Sequence, residues 1–304
     1  MTQRTLKHGS VVWYNITDFS PDDLKFLKSN FKFHPLDLKD CAGEPQRSKI
    51  DVYKNYVFIV LQLPDYQPDG VHVEASQFYI FLSKDYIVTI TKGKFKFLNN
   101  FYYKVVNNLH AREHIFGQGS EYLLYRILDY VLRQRWKALF NLDDHIRRIE
   151  LEIDEGQGKR AVLETAALRR TILQFKSILD PQRLVINTLS KLSVSFISKD
   201  SEIYFDDIDD YVDKVWFALE SYRDRVISLQ EINESLISYR TNKIMTLLTV
   251  FSVALLPLTF LTGLYGMNID LPLGDRPVFV WSIFGLLAAM ITIIIYTLRR
   301  KDWI

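Results

Sequence analysis

Cysteine is almost absent from this chain: Cys41 is the only one in 304 residues. A disulfide-stapled fold is thereby excluded, and with no His and acid ordered around it by any motif, Cys41 reads as a plain thiol. Glycine and proline are scarce as well, at 12 and 9 residues, which removes collagen-like and low-complexity disordered classes. Charge of one sign is lacking too. The 38 Lys and Arg against 36 Asp and Glu leave a net +2, without the basic excess that would point to nucleic acid. No GxxxxGK[ST] loop is present, so nothing points to nucleotide hydrolysis as an energy source. Residues 1–20 contain no apolar run of signal-peptide length, and the N-terminus is expected in the cytosol. What the chain does have is 48% hydrophobic residues, concentrated toward its C-terminal end.

Residues 244–264 and 278–298 are two 21-residue stretches without a charge. At 1.5 Å rise per residue each reaches about 31 Å, matching the roughly 30 Å hydrocarbon core of a bilayer. Both are expected to span it as helices, which satisfy their own backbone groups. With residues 268–277 between them they form a tight hairpin. Arg240 and Lys243 precede the first span, and Arg299, Arg300 and Lys301 follow the second. Positive-inside places both flanks, and everything before residue 240, in the cytosol. Trp281 and Trp303 suit the membrane interface.

Ahead of the spans, Ser20-Pro21-Asp22-Asp23 reads as a helix start, with a Ser cap, Pro in the first turn and acids favoured by the dipole. Residues 11–16, 56–63, 77–82 and 86–91 are β-branched and aromatic runs, the last two joined as a hairpin through Ser83-Lys84-Asp85. Beyond Ser120 the pattern turns helical. Leu139, Leu142, Ile146, Ile149 and Ile153 form one stripe, and Leu168, Ile172, Phe175 and Leu179 another. They flank Glu155-Gly156-Gln157-Gly158, so a long antiparallel helical hairpin is expected, kinked or ended at Pro181. Ile208, Val212, Val215, Leu219, Tyr222, Val226 and Leu229 make a third, heptad-spaced seam. No loop signal separates it from the first span, so a single helix is expected from about residue 204 to 264.

A second stripe on that helix advances by alternating 4 and 3 from Glu231 through Ser235, Ser238, Asn242, Met245, Thr249, Ser252, Leu256, Thr259 and Gly263. Nearly every member is polar or small. It admits two readings: the hydroxyls bond back to their own helix and small residues aid packing, or the stripe faces an aqueous path. Continuity with Glu231 and Asn242 at the cytosolic end favours the path. Two spans cannot enclose a conduit, whereas copies around an axis can, which implies a cyclic homo-oligomer of unspecified copy number. The expected domains are a cytosolic α/β domain at 1–119, an antiparallel helical hairpin at 120–203 and a stalk helix at 204–243. The spans at 244–264 and 278–298 enclose an external loop at 265–277, and a basic cytosolic tail occupies 299–304.

Tyr265-Gly266-Met267-Asn268, behind Pro257-Leu258-Thr259-Phe260-Leu261-Thr262-Gly263 and Thr241-Asn242 and before a C-terminal span with a basic tail, resembles the signature of the CorA family of divalent-cation transporters. His34-Pro35-Leu36, Asn55-Tyr56-Val57-Phe58 and Pro181 within a long helix are similar to family features as well. The resemblance implies a funnel-shaped homopentamer in the cytoplasmic membrane, with no enzymatic activity and no cofactor besides Mg²⁺ or another divalent ion as substrate and regulator. It implies a selectivity motif of Gly266, Met267 and Asn268, the Asn ring meeting the hydrated cation. Pore-lining or gating positions would be Asn242, Met245, Leu248, Leu256 and Thr259, with Leu248 one residue off the polar stripe. Uptake would be driven by membrane potential, about 4.6 kcal/mol for a divalent ion at 100 mV.

The segment after the motif, Ile269-Asp270-Leu271-Pro272-Leu273-Gly274-Asp275, lacks the Met-Pro-Glu common in the family's magnesium transporters. Asp270 and Asp275 are candidates for the lost charge at the mouth. Zinc-handling members lack that segment too, so Mg²⁺, with Co²⁺ or Ni²⁺, is expected over Zn²⁺ on the ground that no Cys or His lies near the pore. A non-conducting, membrane-anchored metal sensor or scaffold is the alternative of another class.

Glu202, Asp206, Asp207, Asp209 and Asp210 cluster at the stalk start, a pattern that also suits a solvated helix N-terminus. The resemblance makes Asp207 and Asp210 regulatory ligands for intracellular Mg²⁺ between protomers, with Asp65 or Asp69 opposite. Glu150, Glu152, Asp154 and Glu155 read as a solvated tip. His110 and His114 are a metal pair without a third ligand. Gly117-Gln118-Gly119-Ser120 reads as a loop with a helix cap.

Overall fold

The computed structural model describes residues 3–66, 73–92, 96–155, 158–194, 196–267 and 277–300, and the chain divides into two compact units, Met1–Leu229 and Gln230–Ile304. The first unit opens with β1 (Gln3–His8), β2 (Val11–Thr17), α1 (Pro21–Asn30), α2 (Pro35–Ala42), β3 (Lys49–Val52), β4 (Val57–Tyr66), β5 (Val73–Leu82) and β6 (Tyr86–Lys92). The strands form one sheet in the order β1-β2-β6-β5-β4-β3, antiparallel throughout except for the β2–β6 pair. Helices follow: α3 (Lys96–Asn107), α4 (Leu109–Gly117), α5 (Ser120–Trp136), α6 (Asn141–Asp154), α7 (Gly158–Ser190) and α8 (Glu202–Tyr265), which continues into the second unit.

Both faces of the sheet are buried. Ile16, Phe58, Val60, Tyr79, Phe81, Val88 and Ile90 meet Leu27 of α1 and Leu38 and Cys41 of α2 on one side. On the other, Trp13 packs on Phe101 and Tyr102 of α3. Its indole N–H donates to Thr89 Oγ1 at 2.9 Å, so the buried polar atom has a partner. Ser20 caps α1 in a full capping box with Asp23. In α2 the cap is His34, and the buried Asp37 carboxylate accepts from Tyr53 Oη at 2.9 Å and Tyr56 Oη at 2.8 Å.

Of the two outcomes expected at Pro181, a kink or an end, the end does not occur: α7 carries Pro181 inside it and runs nine residues further to Ser190. The packing of Ile178, Leu179, Val185, Ile186 and Leu189 and the Gln182 side chain on the Gln62 carbonyl outweigh the missing N–H. The cap of α5 falls within Gly117-Gln118-Gly119-Ser120, as expected. Gly119 takes the cap position at φ 99°, where a side chain would be strained, and Ser120 Oγ donates to the Ser83 carbonyl at 2.6 Å. The apolar stripes of α6, α7 and α8 are buried as their spacing requires, with Tyr222 half-buried. Arg148–Glu164 and Arg160–Glu152 pair α6 with α7 in antiparallel register.

In the second unit, α8 reaches Tyr265, and α9 (Pro277–Arg300) follows. Among the described residues these two helices are long and apolar enough to cross a membrane.

Burial pushes the Asp37 carboxyl up, with the Tyr56 and Tyr53 hydrogen bonds opposing. A carboxyl whose folded pKa is raised contributes most below its unfolded value, near 3.9, and loses that contribution as pH rises through the folded value. Asp37→Asn removes this loss, so the Tm difference, variant minus wild type, is expected to grow from pH 4 to pH 7. A constant or shrinking difference in thermal unfolding of the full chain would contradict it.

Candidate functional site

The ten residues of the polar stripe, from Glu231 to Gly263, are all exposed in the protomer. The half-buried residues from 244 to 264 are Thr246, Val250, Ala254, Pro257, Leu258, Leu261 and Leu264. Val250, Ala254 and Pro257 border an apolar cleft of about 210 Å³ with Leu287, Met290, Ile291 and Leu298 of α9. At about 100° per residue Ser252 and Thr259 face well away from Val250, Val253, Ala254 and Pro257, whereas Leu256 and Thr249 stand beside them, so the stripe centres about 110° around α8 from its contact with α9. Thr249 alone reaches the rim of the cleft. Leu248 is also exposed, on the half of the helix that α9 leaves open.

The threonines bond back to their own helix. Thr249 Oγ1 donates to the Met245 carbonyl at 2.8 Å and Thr259 Oγ1 to the Leu255 carbonyl at 3.0 Å. Each hydroxyl proton is thus turned inward, and the oxygen presents its lone pairs outward as an acceptor. Met245 and Leu256 interrupt the polar file with bulky apolar side chains, 57% and 65% exposed.

At the end of α8 the Gly266 N–H donates to the Thr262 carbonyl at 3.0 Å, and the Met267 N–H to the Leu264 carbonyl at 3.3 Å. A Cβ on Gly266 would come within 2.9 Å of the Thr262 carbonyl oxygen, so this close approach requires glycine. Asn268, Asp270 and Asp275 lie outside the described residues, as does Asp69.

At the start of α8, Asp207 and Asp210 are exposed one turn apart. Asp207 Oδ2 accepts from Tyr125 Oη at 3.4 Å and Arg133 Nη2 at 3.3 Å. Tyr125 is pushed up by burial and by the Asp207 charge. Asp209 accepts from Asn187 at 2.9 Å and Asp213 pairs with Arg183, which ties these acids to α7. Asp65 is engaged elsewhere, by the buried Arg135 at 2.9 Å. Glu150 at the hairpin tip pairs with Arg225 at 3.0 Å. His114 Nε2 lies 3.3 Å from Tyr122 Oη and 3.4 Å from Gln118 Nε2. Among the described residues of the protomer no group of three or more His, Cys, Asp or Glu is placed to hold a metal. The sequence reading missed Arg133 and Tyr125, because nothing in their spacing links them to α8.

The family model described as CorA-like Mg2+ transporter protein matches residues 8–300. The cobalt/magnesium transport protein CorA of Thermotoga maritima is 28% identical, over 96% of this chain and 83% of that protein. The zinc transport protein ZntB of Yersinia pseudotuberculosis is 23% identical, over 96% of this chain and 88% of its own. The complete structure of the CorA magnesium transporter from Methanocaldococcus jannaschii superposes with a TM-score of 0.81 at 23% identity, covering 98% of this chain and 93% of that one.

Gly266→Ala is expected to cut divalent-cation flux by about tenfold, the factor carried by ~1.4 kcal/mol of lost turn stability. Gly285→Ala in α9, where a Cβ meets nothing within 4 Å, should stay near wild type. Equal flux in the two variants, measured in proteoliposomes at matched protein content, would contradict the close-approach argument.

Proposed function

The chain belongs to the family of CorA-like Mg2+ transporter proteins, a family of divalent-cation transporters of the membrane, and from that premise we propose that it carries Mg²⁺ into the cytosol through a pore on the axis of a homopentamer. The observation that carries this reading is the exposed polar file of α8, most of which α9 leaves uncovered. With the hairpin's own second arm reaching the file only at Thr249, the rest of it is left for water or for other copies of the chain.

In this reading Asn268 forms the external ring. Mg²⁺ sheds water reluctantly, so a first filter of amide oxygens that bonds to the hydration shell suits it. Gly266 supports the ring by letting the chain turn tightly against Thr262. A hydrated cation presents water hydrogens outward, and what it needs from a wall is acceptors. Thr249 and Thr259 offer them because their own protons are already committed to backbone carbonyls. Ser252 and Asn242 extend the polar wall toward Glu231, whose charge draws the ion to the cytosolic end. Met245, Leu248 and Leu256 are the narrow apolar rings, closed by dewetting when the bundle tightens. Asp270 and Asp275 supply negative charge at the outer mouth.

Membrane potential is sufficient drive, with both termini cytosolic and the protein multi-pass in the cytoplasmic membrane. Asp207 and Asp210 bind intracellular Mg²⁺ between neighbouring protomers, where the ion offsets carboxylate repulsion and favours closure. By linkage, closure and binding strengthen each other. A second reading, zinc, is favoured by the missing Glu in residues 269–275 and by the likeness to a zinc transport protein.

Purified protein in proteoliposomes with an inside-negative potential is expected to admit Mg²⁺, with Co²⁺ and Ni²⁺ competing more effectively than Zn²⁺. Asn268→Ala should abolish entry, and Asp207→Ala combined with Asp210→Ala should raise it at millimolar internal Mg²⁺. Absence of flux in the wild type, or unchanged flux in Asn268→Ala, contradicts conduction through this filter. Retained inhibition in the double variant contradicts the regulatory assignment.

A further inference from the structure

Asp207 has a neighbour that the proposed regulation does not use. Arg133 on α5 reaches the same carboxylate oxygen, Oδ2, with Nη2 at 3.3 Å. That distance is long for a charge-assisted bond, which usually closes to about 2.7–2.9 Å. The guanidinium is held there by other groups. Its Nε donates to Asp129, one turn earlier on α5, and its Cζ lies 4.7 Å over the ring of Tyr211, one turn beyond Asp207 on α8. The Asp129 bond comes first among the influences that keep Arg133 firmly charged. The cation is therefore braced from both helices, its side-chain entropy already spent on Asp129 and Tyr211. Asp207 meanwhile stays half-exposed, open to ions from solution.

We propose that Arg133 is a tethered cation that competes with the divalent ion for Asp207 and so sets the concentration at which that ion acts. The proposal rests on the reading of Asp207 as a regulatory ligand. An ion arriving at Asp207 need only displace two long contacts, from Arg133 and from Tyr125, and Arg133 keeps Asp129 and Tyr211. The ion then binds beside a fixed positive charge. In a water-like dielectric a unit charge about 6 Å from a divalent ion is worth roughly a factor of ten, which salt screening reduces to about three- to tenfold. Arg133 thus weakens the site without blocking it and moves its threshold upward. With the site empty, the Arg133 contact ties α5 to α8 and partly neutralises the carboxylate. Arg133 is a positioning and tuning residue in this scheme and does not line the ion path.

The test is the Mg²⁺ concentration that half-protects the full-length, assembled protein in detergent from limited proteolysis, a readout independent of transport. Arg133→Gln is expected to lower that midpoint by about three- to tenfold, whereas Arg133→Lys, which keeps the charge, stays within about twofold of wild type. An unchanged or higher midpoint in Arg133→Gln, while Asp207→Asn shifts it, overturns the role of Arg133 and leaves the regulatory site standing. A midpoint untouched by Asp207→Asn overturns the regulatory reading and this inference with it. Should Arg133→Gln not assemble, Asp129→Asn replaces it: freed from its brace, Arg133 leans onto Asp207 and the midpoint rises. An unchanged or lower midpoint there also overturns the proposal.

Discussion

Hydrocarbon cannot solvate a hydroxyl, an amide or a carboxylate, and on that constraint the rest of the structure depends. A polar group left unpaired in an apolar medium costs on the order of several kcal/mol. α8 carries a file of such groups through its membrane stretch, and α9 packs beside it at Val250, Ala254 and Pro257, leaving the file exposed. The hairpin therefore cannot cover its own polar file. Backbone carbonyls absorb the threonine protons, yet the outward lone pairs, Ser252 and Asn242 still need water or a neighbouring copy. An assembly that shares one wet axis meets the need for every copy at once, which is why the transport reading and the oligomeric reading stand or fall together.

The cytosolic unit meets a different demand, holding the start of α8 in register. Ile208, Val212, Val215, Leu219, Val226 and Leu229 are buried, and this apolar seam supplies the packing. Polar pairs then fix the alignment with α7. Lys176–Glu220, Arg183–Asp213 and Asn187–Asp209 follow one antiparallel register, with Trp216 lying between Lys176 and Arg183. Half-exposed pairs of this kind contribute little stability individually. Their value is positional: they leave Asp207 and Asp210 on the exposed side, and they leave Arg133 and Tyr125 as the groups that meet Asp207.

Much of this was legible in the sequence wherever a single element announces itself. The uncharged stretches became α8 and α9, the heptad seam was buried except at the half-buried Tyr222, and Ser20 with Asp23 formed the expected cap. The illegible parts are those decided between elements. β1 buries only Leu6 and β3 is a four-residue strand at the sheet edge, so neither shows the alternation of a half-buried strand. Whether Pro181 ends α7 was decided by packing that no local rule contains. The direction in which α8 meets α9 could not be read either, because apolar residues occupy several sides of the span and only the tertiary contact selects one. Arg133 stands 74 residues from Asp207, a pairing that no spacing rule reaches.

The most direct measurement is thiol accessibility across the first span. Native Cys41 is fully buried and should give little background labelling. In the assembled protein, single cysteines at Ser252 and Thr259 are predicted to react with a small hydrophilic thiol reagent, while cysteines at Ala254 and Leu261, on the α9 side, stay silent. The reverse pattern, or silence at all four with labelling at the cytosolic flank, would contradict a wet polar file and the pore built upon it.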